Sequence, residues 1–292
     1  MKNIIIVTGG AGFIGSNLIQ ALIYKTKFKI ISIDNYSSGS SINHIKNNRV
    51  VYFKSDTKNI SKLLKNKKKK IKTIFHFGEF SRIFQSFKQF KKCIESNSHG
   101  SFEVFKFCLE NKIKLIYSAT SANFGNDGND KNLSPYAFSK AKNLELLENL
   151  KKWFGLKFEV VYFYNVYGPK QIRKGSMASV IGIFEYHYLK GLPLPVVSPG
   201  TQTRRFTHIN DTVDVCIEAW KKNKCNHYII TNKESYSILK VAKLFKSKIR
   251  KVPFRDGERF SSAIIKSKKI IFRFGKHSLK DYITNFVSKN PK

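Results

Sequence analysis

Tyr136 and Lys140 stand four residues apart, just after Ser134-Pro135. Ser-Pro is a helix-start signal, and on a helix the i and i+4 side chains share one face. An ammonium beside a phenol favours the phenolate. A phenolate so held can take the proton of a hydroxyl group while hydride leaves the same carbon. Taken alone the pair reads as ordinary surface helix; what surrounds it gives it meaning. The hydride needs an acceptor, and the opening of the chain offers a place for one.

Thr8-Gly9-Gly10-Ala11-Gly12-Phe13-Ile14-Gly15 follows an apolar run and opens an amphipathic stretch. Glycines permit a tight turn and bring the backbone close to a diphosphate, which then faces the free N–H groups of a helix start. Asp34 lies nineteen residues past Gly15, at the end of the second apolar run. That acid suits the ribose hydroxyls of NAD and repels the 2′-phosphate of NADP. Lys46 and Arg49 stand close enough in sequence to offset that repulsion. NAD is favoured, with NADP the second choice.

These groups need a scaffold. Strands are predicted at 3–8, 28–34, 50–54, 71–77, 113–119 and 158–164, with helices near 13–25, 58–65, 83–111 and 135–153. Continuous apolar strands alternating with helices predict an α/β fold, a doubly wound parallel sheet of Rossmann type. The Tyr-Lys pair then follows the fifth strand. Beyond Gly168-Pro169 the rhythm breaks, with helices expected near 176–190, 210–222 and 237–248. We assign 1–167 to the cofactor domain, with 201–232 returning to it. Segments 168–200 and 233–292 form a smaller C-terminal substrate-binding lobe.

Composition narrows the classes. With 41% apolar residues in 292, a large core is expected and wholesale disorder is not. No apolar run approaches the roughly 20 residues of a membrane span, and the residues after Met1-Lys2 are too short an apolar run for a signal peptide. A cytoplasmic protein is expected, without a membrane partner. Cys93, Cys108, Cys216 and Cys225 have no metal-ligand spacing, so neither metal nor disulfide is expected. The net charge of +35 comes from lysines spread along the chain, beside abundant Asn, Ile and Phe. That pattern fits an AT-rich coding bias rather than a specific nucleic-acid surface. Its one dense run, Lys65 to Lys70, precedes a strand, where a solvated loop belongs. A positive field would still gather an anionic substrate.

The ordered set TGGAGFIGSN (8–17), DNYSSG (34–39), KSD (54–56), HFG (76–78), NSHG (97–100), YSATSANFG (117–125), SPYAFSKAK (134–142), FYNVYGPKQ (163–171), TRRFTHIND (203–211) and RDGERF (255–260) closely resembles the extended short-chain dehydrogenase/reductase family of nucleotide-sugar epimerases and dehydratases. The similarity spans nearly the whole chain. It implies catalytic roles for Thr120 (before Ser121) on the sugar oxygen, Tyr136 as acid/base, and Lys140 on the nicotinamide ribose. It implies cofactor contacts from Gly9, Gly12, Phe13, Ile14, Gly15, Asp34, Asn35, Asp56, Thr57, Phe77, Gly78 and Asn97. Asn165 is implied as a substrate ligand, and Arg204 and Arg255 as diphosphate clamps.

Family members that dehydrate or decarboxylate resemble one another in an acid just after the catalytic threonine. Here Ser121-Ala122-Asn123 follows Thr120. The expectation is therefore an isomerase: an epimerase that oxidises a sugar carbon to a keto intermediate and reduces it on the other face. Lys174, in KGSMASV (174–180), matches a second acid/base lysine of the ADP-glycero-manno-heptose 6-epimerases. Gly78-Glu79-Phe80-Ser81 departs from the cysteine-containing segment of those epimerases, Asn123-Phe124 from the usual Val-Tyr, and Arg205 stands where the family usually has Asp. A UDP-hexose 4-epimerase, a dehydratase or reductase of the same family, and a non-catalytic nucleotide-sugar binder are the alternatives. The resemblance also implies a homodimer through the helices near 83–111 and 135–153, with Phe84, Phe87, Phe90 and Phe105 candidates for either that surface or the core.

Overall fold

Where an apolar run lacks polar alternation, it becomes a strand covered on both faces. In the computed structural model, which describes residues 3–258, 260–261 and 270–291 (backbone alone for 125–130), Ile4–Thr8 (β1) is buried at every position. Lys29–Asp34 (β2) and Ile71–His76 (β4) are each buried at all but one position. Val50–Lys54 (β3) closes one edge and is only half covered. Lys114–Thr120 (β5) and Phe158–Phe163 (β6) complete the set that the sequence predicts, within a residue or so at each end.

The eight-stranded sheet is parallel throughout. Its order is Ile270–Phe274, His227–Thr231, β6, β5, β4, β1, β2, β3. The chain winds outward from β1 to β3, then crosses back to β4 on the other side of β1. That reversal opens a crevice at the carboxyl ends of β1 and β4, where α/β sheets bind ligands.

Helix Phe13–Lys25 seals one face with Leu18, Ile19 and Leu22, all fully buried. Each contributes roughly 1.5–3 kcal/mol relative to exposure. The stretch predicted as one helix near 83–111 is broken into Ile83–Lys88, Phe90–Ile94, a wide π-type turn Glu95–Gly100, and Ser101–Glu110. Phe105 belongs to the core, whereas Phe87 and Phe90 are exposed. Lys65–Lys70 forms an exposed turn ahead of β4. Apart from the clusters on the two faces of the sheet, a further core joins Tyr167, Phe184, Leu194, Phe206, Val241 and Phe245, all from the part of the chain after β6. The strand Ile270–Phe274 was not expected, and it extends the main sheet. Residues 1–2, Arg259 of the 255–260 motif, 262–269 and Lys292 lie outside the described residues. Among the described residues, no helix is long and apolar enough to cross a membrane, and no cluster of metal-ligating side chains occurs. Cys93, Cys108, Cys216 and Cys225 are unpaired thiols.

Candidate active site

The turn after β1 is built from glycine because nothing larger fits. Gly9 has φ +70°, and a Cβ there would meet Gly78 N at 2.8 Å. At Gly15 a Cβ would lie 2.1 Å from Gly9 O. Gly12 caps helix Phe13–Lys25 without any side-chain hydrogen bond, leaving the first-turn N–H groups to other acceptors. A backbone cradle at a helix start fits the diphosphate of a dinucleotide.

Asp34 ends β2 with Oδ2 accepting from Ala11 N at 3.0 Å and Oδ1 from Tyr36 N at 2.8 Å. Burial raises its pKa, and the backbone hydrogen bonds pull it back. Asn35 Nδ2 donates to Asp56 Oδ1 at 2.7 Å, tying the ends of β2 and β3 together. Arg49 is committed elsewhere, donating to Thr26 O and Ile23 O at 2.6 Å each.

Helix Pro135–Phe154 begins as the sequence predicts: Ser134 Oγ accepts from Ala137 N at 3.1 Å, with proline in the first turn. It carries Tyr136 partly exposed and Lys140 buried. The Lys140 ammonium donates to Ser118 O at 2.5 Å and stands 4.6 Å from the centre of the Tyr117 ring. Its third partner is Glu79, by a short, fully buried ion pair. Glu79 Oε1 accepts in addition from Ser101 Oγ at 2.8 Å, Tyr117 Oη at 3.1 Å and Asn143 Nδ2 at 3.2 Å. Burial lowers the pKa of Lys140, and the Glu79 carboxylate raises it again.

The protons behind Glu79 can be ordered. Thr8 Oγ1 accepts from Phe77 N at 3.1 Å and Gly78 N at 3.0 Å, so its own hydrogen goes to His76 Nδ1, 2.7 Å away. His76 is then the Nε2–H tautomer and donates to Ser101 Oγ at 2.9 Å, while Ser101 donates onward to Glu79. Burial holds the His76 pKa down at about 4, keeping the ring neutral. One hydrogen-bonded chain thus joins Thr8, at the start of the glycine turn, to Lys140. Sequence reasoning missed it and met Glu79 only as a departure from a pattern.

A cavity of about 490 Å3 collects nearly all the predicted residues. Gly9, Gly12, Phe13, Ile14, Gly15, Asp34, Asn35, Asp56, Thr57, Phe77 and Gly78, the residues predicted to hold the cofactor, line it on the side of the glycine turn. Thr120, Ser121, Tyr136, Lys140, Asn165, Arg204 and Arg255 line the other. Asn165 is held by a bond from its Nδ2 to Arg205 O at 2.8 Å. Arg204 pairs with Glu258 at 2.6 Å, and the Arg255 guanidinium lies 5.5 Å from the Phe84 ring centre. Two predicted residues are not on the wall. Asn97 is buried behind it, bonding Phe80 N and O at 2.7 and 3.0 Å and so fixing the loop after β4. Lys174 is exposed, with its ammonium 6.0 Å from the Tyr186 ring centre.

Comparison with known proteins gives this geometry its relatives. The ADP-L-glycero-D-manno-heptose-6-epimerase of Brachyspira hyodysenteriae is 33% identical over 227 residues, 72% of this chain and 70% of that protein. The UDP-glucose 4-epimerase of Thermotoga maritima, solved with UDP-glucose, superposes with a TM-score of 0.87 at 24% identity, covering 98% of this chain and 97% of the other. The UDP-glucuronic acid 4-epimerase of Bacillus cereus, solved with UDP-glucuronic acid and NAD, gives 0.83 at 26% identity over 98% and 99%. The profile of one family matches residues 5–231, from β1 through His227–Thr231. The chain belongs to the NAD dependent epimerase/dehydratase family.

Proposed function

We propose that this chain is an NAD-dependent epimerase of a nucleotide-activated sugar, inverting one carbon through a keto-sugar. The observation that carries the reading is the single cavity in which the glycine turn, Asp34, Thr120, Tyr136 and Lys140 meet. The Gly9–Gly15 turn would hold the cofactor diphosphate, Asp34 a ribose, Asp56 the adenine side, and Lys140 the nicotinamide ribose. NAD bound there supplies the acceptor, and later the donor, of one hydride. Tyr136 Oη takes the proton of the reacting hydroxyl, with Thr120 hydrogen-bonded to the same oxygen. Lys140, anchored on Glu79, provides the cation that favours the phenolate. Tyr136 returns the proton once the keto-sugar has turned its other face. Asp34, with Arg49 tied to main-chain carbonyls, favours NAD over NADP.

Epimerisation is favoured over dehydration because Thr120 is followed by Ser121, Ala122 and Asn123, while Glu79 is engaged by Lys140. The Brachyspira relative favours an activated heptose inverted at its side chain. The outward position of Lys174 favours a second reading, a one-base inversion in the manner of a hexose 4-epimerase. Exposed Phe90, Phe102, Phe138 and Trp153 on the two helical stretches support a homodimer. The test is NMR of UDP-, GDP- and ADP-sugars incubated with the protein. One sugar should invert, and Tyr136→Phe should slow it at least about 100-fold while still binding NAD. An unimpaired Tyr136→Phe variant, or a panel without inversion, would overturn the proposal.

A further inference from the structure

Three cations face the substrate half of the cavity besides Lys140: Arg82, Arg204 and Arg255. They differ in what holds them. Arg204 has a carboxylate partner in Glu258. Arg255 lies over the Phe84 ring in the C-terminal lobe segment assigned to the diphosphate. Arg82 immediately precedes helix Ile83–Lys88, and its guanidinium is fixed by two neutral acceptors. Nε donates to Met177 O at 2.9 Å, and Nη1 donates to Ser81 O at 2.7 Å. Two main-chain carbonyls set the plane of the fork without compensating its charge. Among the described residues no carboxylate lies within ion-pair distance of it. The cavity acids Glu79 and Glu258 are already paired with other cations.

The position of that charge is informative. Arg82 is the N-cap residue of helix Ile83–Lys88, whose Ser86 Oγ accepts from Tyr136 N at 3.3 Å, so it belongs to the reacting end of the substrate rather than the nucleotide end. Desolvation there pushes the guanidinium pKa below its usual range. Arg82 is partly buried, and a partly desolvated cation facing a cavity without a carboxylate partner is best compensated when an anion arrives. The hydroxyls of a neutral sugar would leave the charge uncompensated, whereas a carboxylate matches both the charge and the planar fork. We propose that Arg82 receives a carboxylate borne by the sugar itself, so that the substrate class is a nucleotide-activated sugar acid. This rests on the nucleotide-sugar reading above and sharpens it.

The experiment is calorimetric binding of four ligands, UDP-glucose, UDP-glucuronate, ADP-glucose and ADP-glucuronate, to the NADH-loaded protein and to Arg82→Met. In at least one nucleotide series the wild type should prefer the acid by roughly 30-fold or more, the range for a charge-paired contact. Arg82→Met should bring the ratio of acid to neutral affinity close to unity, with NADH affinity unchanged. Equal or stronger binding of the neutral sugar by wild type overturns the inference without any variant. So does an Arg82→Met protein that weakens acid and neutral ligands alike, which would make Arg82 a diphosphate ligand, or one that weakens NADH. If none of the four binds, GDP-glucose and GDP-glucuronate are compared by the same criterion, and if no nucleotide sugar of either kind binds, the nucleotide-sugar reading itself fails.

Discussion

Glu79→Gln changes one atom at the centre of the site and should be costly. Three donors, Ser101 Oγ, Tyr117 Oη and Asn143 Nδ2, converge on Oε1, while Lys140 takes Oε2. A glutamine must keep its carbonyl toward the three donors, and its NH2 then faces the Lys140 ammonium. The alternative amide orientation sets an NH2 against three hydrogen-bond donors. In the first orientation the buried ammonium keeps only Ser118 O, Ser118 Oγ at 3.5 Å and the Tyr117 ring; in the second it keeps a neutral carbonyl in place of the carboxylate, and the three donors lose their acceptor. Removing one member of a buried pair costs about 3–5 kcal/mol. For a chain of this size that is a fall of roughly 6–10 °C in melting temperature. Burial already lowers the pKa of Lys140 and Glu79 raises it, so the variant lysine loses its proton at lower pH than the wild-type lysine. Turnover should drop about 100-fold at neutral pH, with the alkaline limb of the rate profile moved toward lower pH. Lys140→Met and the double variant complete a thermodynamic cycle. If Glu79 acts through Lys140, the two losses in turnover are strongly non-additive. Wild-type melting and turnover in Glu79→Gln, or fully additive losses, would refute this account of the pair.

Three other outcomes follow from the geometry. If Asp34 faces the cofactor ribose as proposed, Asp34→Ala should lower NAD affinity about 10-fold or more while NADP affinity falls less or rises. An unchanged NAD/NADP ratio by fluorescence titration would count against Asp34 as the discriminator. His76 is neutral in the fold with a pKa of about 4, against about 6.5 unfolded. The unfolded chain therefore binds the extra proton between those values. Stability is lost as pH falls through that window, by about 3 kcal/mol for this group, and His208, also at about 4, adds to it. Thermal melts should decline between pH 7 and pH 4.5 (roughly the same window), and less steeply in His76→Asn; a flat profile would contradict the burial argument. Lys174 is exposed and off the cavity wall, so Lys174→Met should turn over within about 3-fold of wild type, like most surface substitutions. A loss near 100-fold would instead place its ammonium at the reacting sugar.

Much of the glycine-turn side of the cavity was legible because its determinants are local. The run Ile4-Ile5-Ile6-Val7, the glycines after Thr8 and the acid at Asp34 are fixed by burial, backbone sterics and charge within a few residues of one another. Ser134-Pro135 marked its helix for the same reason. The breaks between 83 and 111 were not legible. Gln89 leaves helical geometry at φ −123°, ψ 44°, and the wide turn Glu95–Gly100 lets Gly100 sit against Thr57, where a Cβ would approach Oγ1 to 2.5 Å. The turn depends on a neighbour distant in sequence. The strand Ile270–Phe274 is a half-exposed edge whose short apolar run follows several lysines. Glu79 was hidden most thoroughly. Its partners Ser101, Tyr117, Lys140 and Asn143 come from three separate elements, and no spacing rule brings them together. An acid in the apolar segment after β4 was the available signal, since a buried carboxylate requires a cation or several donors.

The central claim is that Tyr136 and a nicotinamide cofactor remove hydrogen from one sugar carbon and return it to the opposite face. Its most direct test is the fate of deuterium placed at that carbon, followed by NMR and mass spectrometry while the protein inverts the sugar in ordinary water. The account predicts that the inverted product keeps the deuterium at the same carbon, and that Tyr136→Phe forms little product. Inversion with loss of the label to solvent would mean that a proton, not a hydride, leaves the carbon, and the account would be wrong.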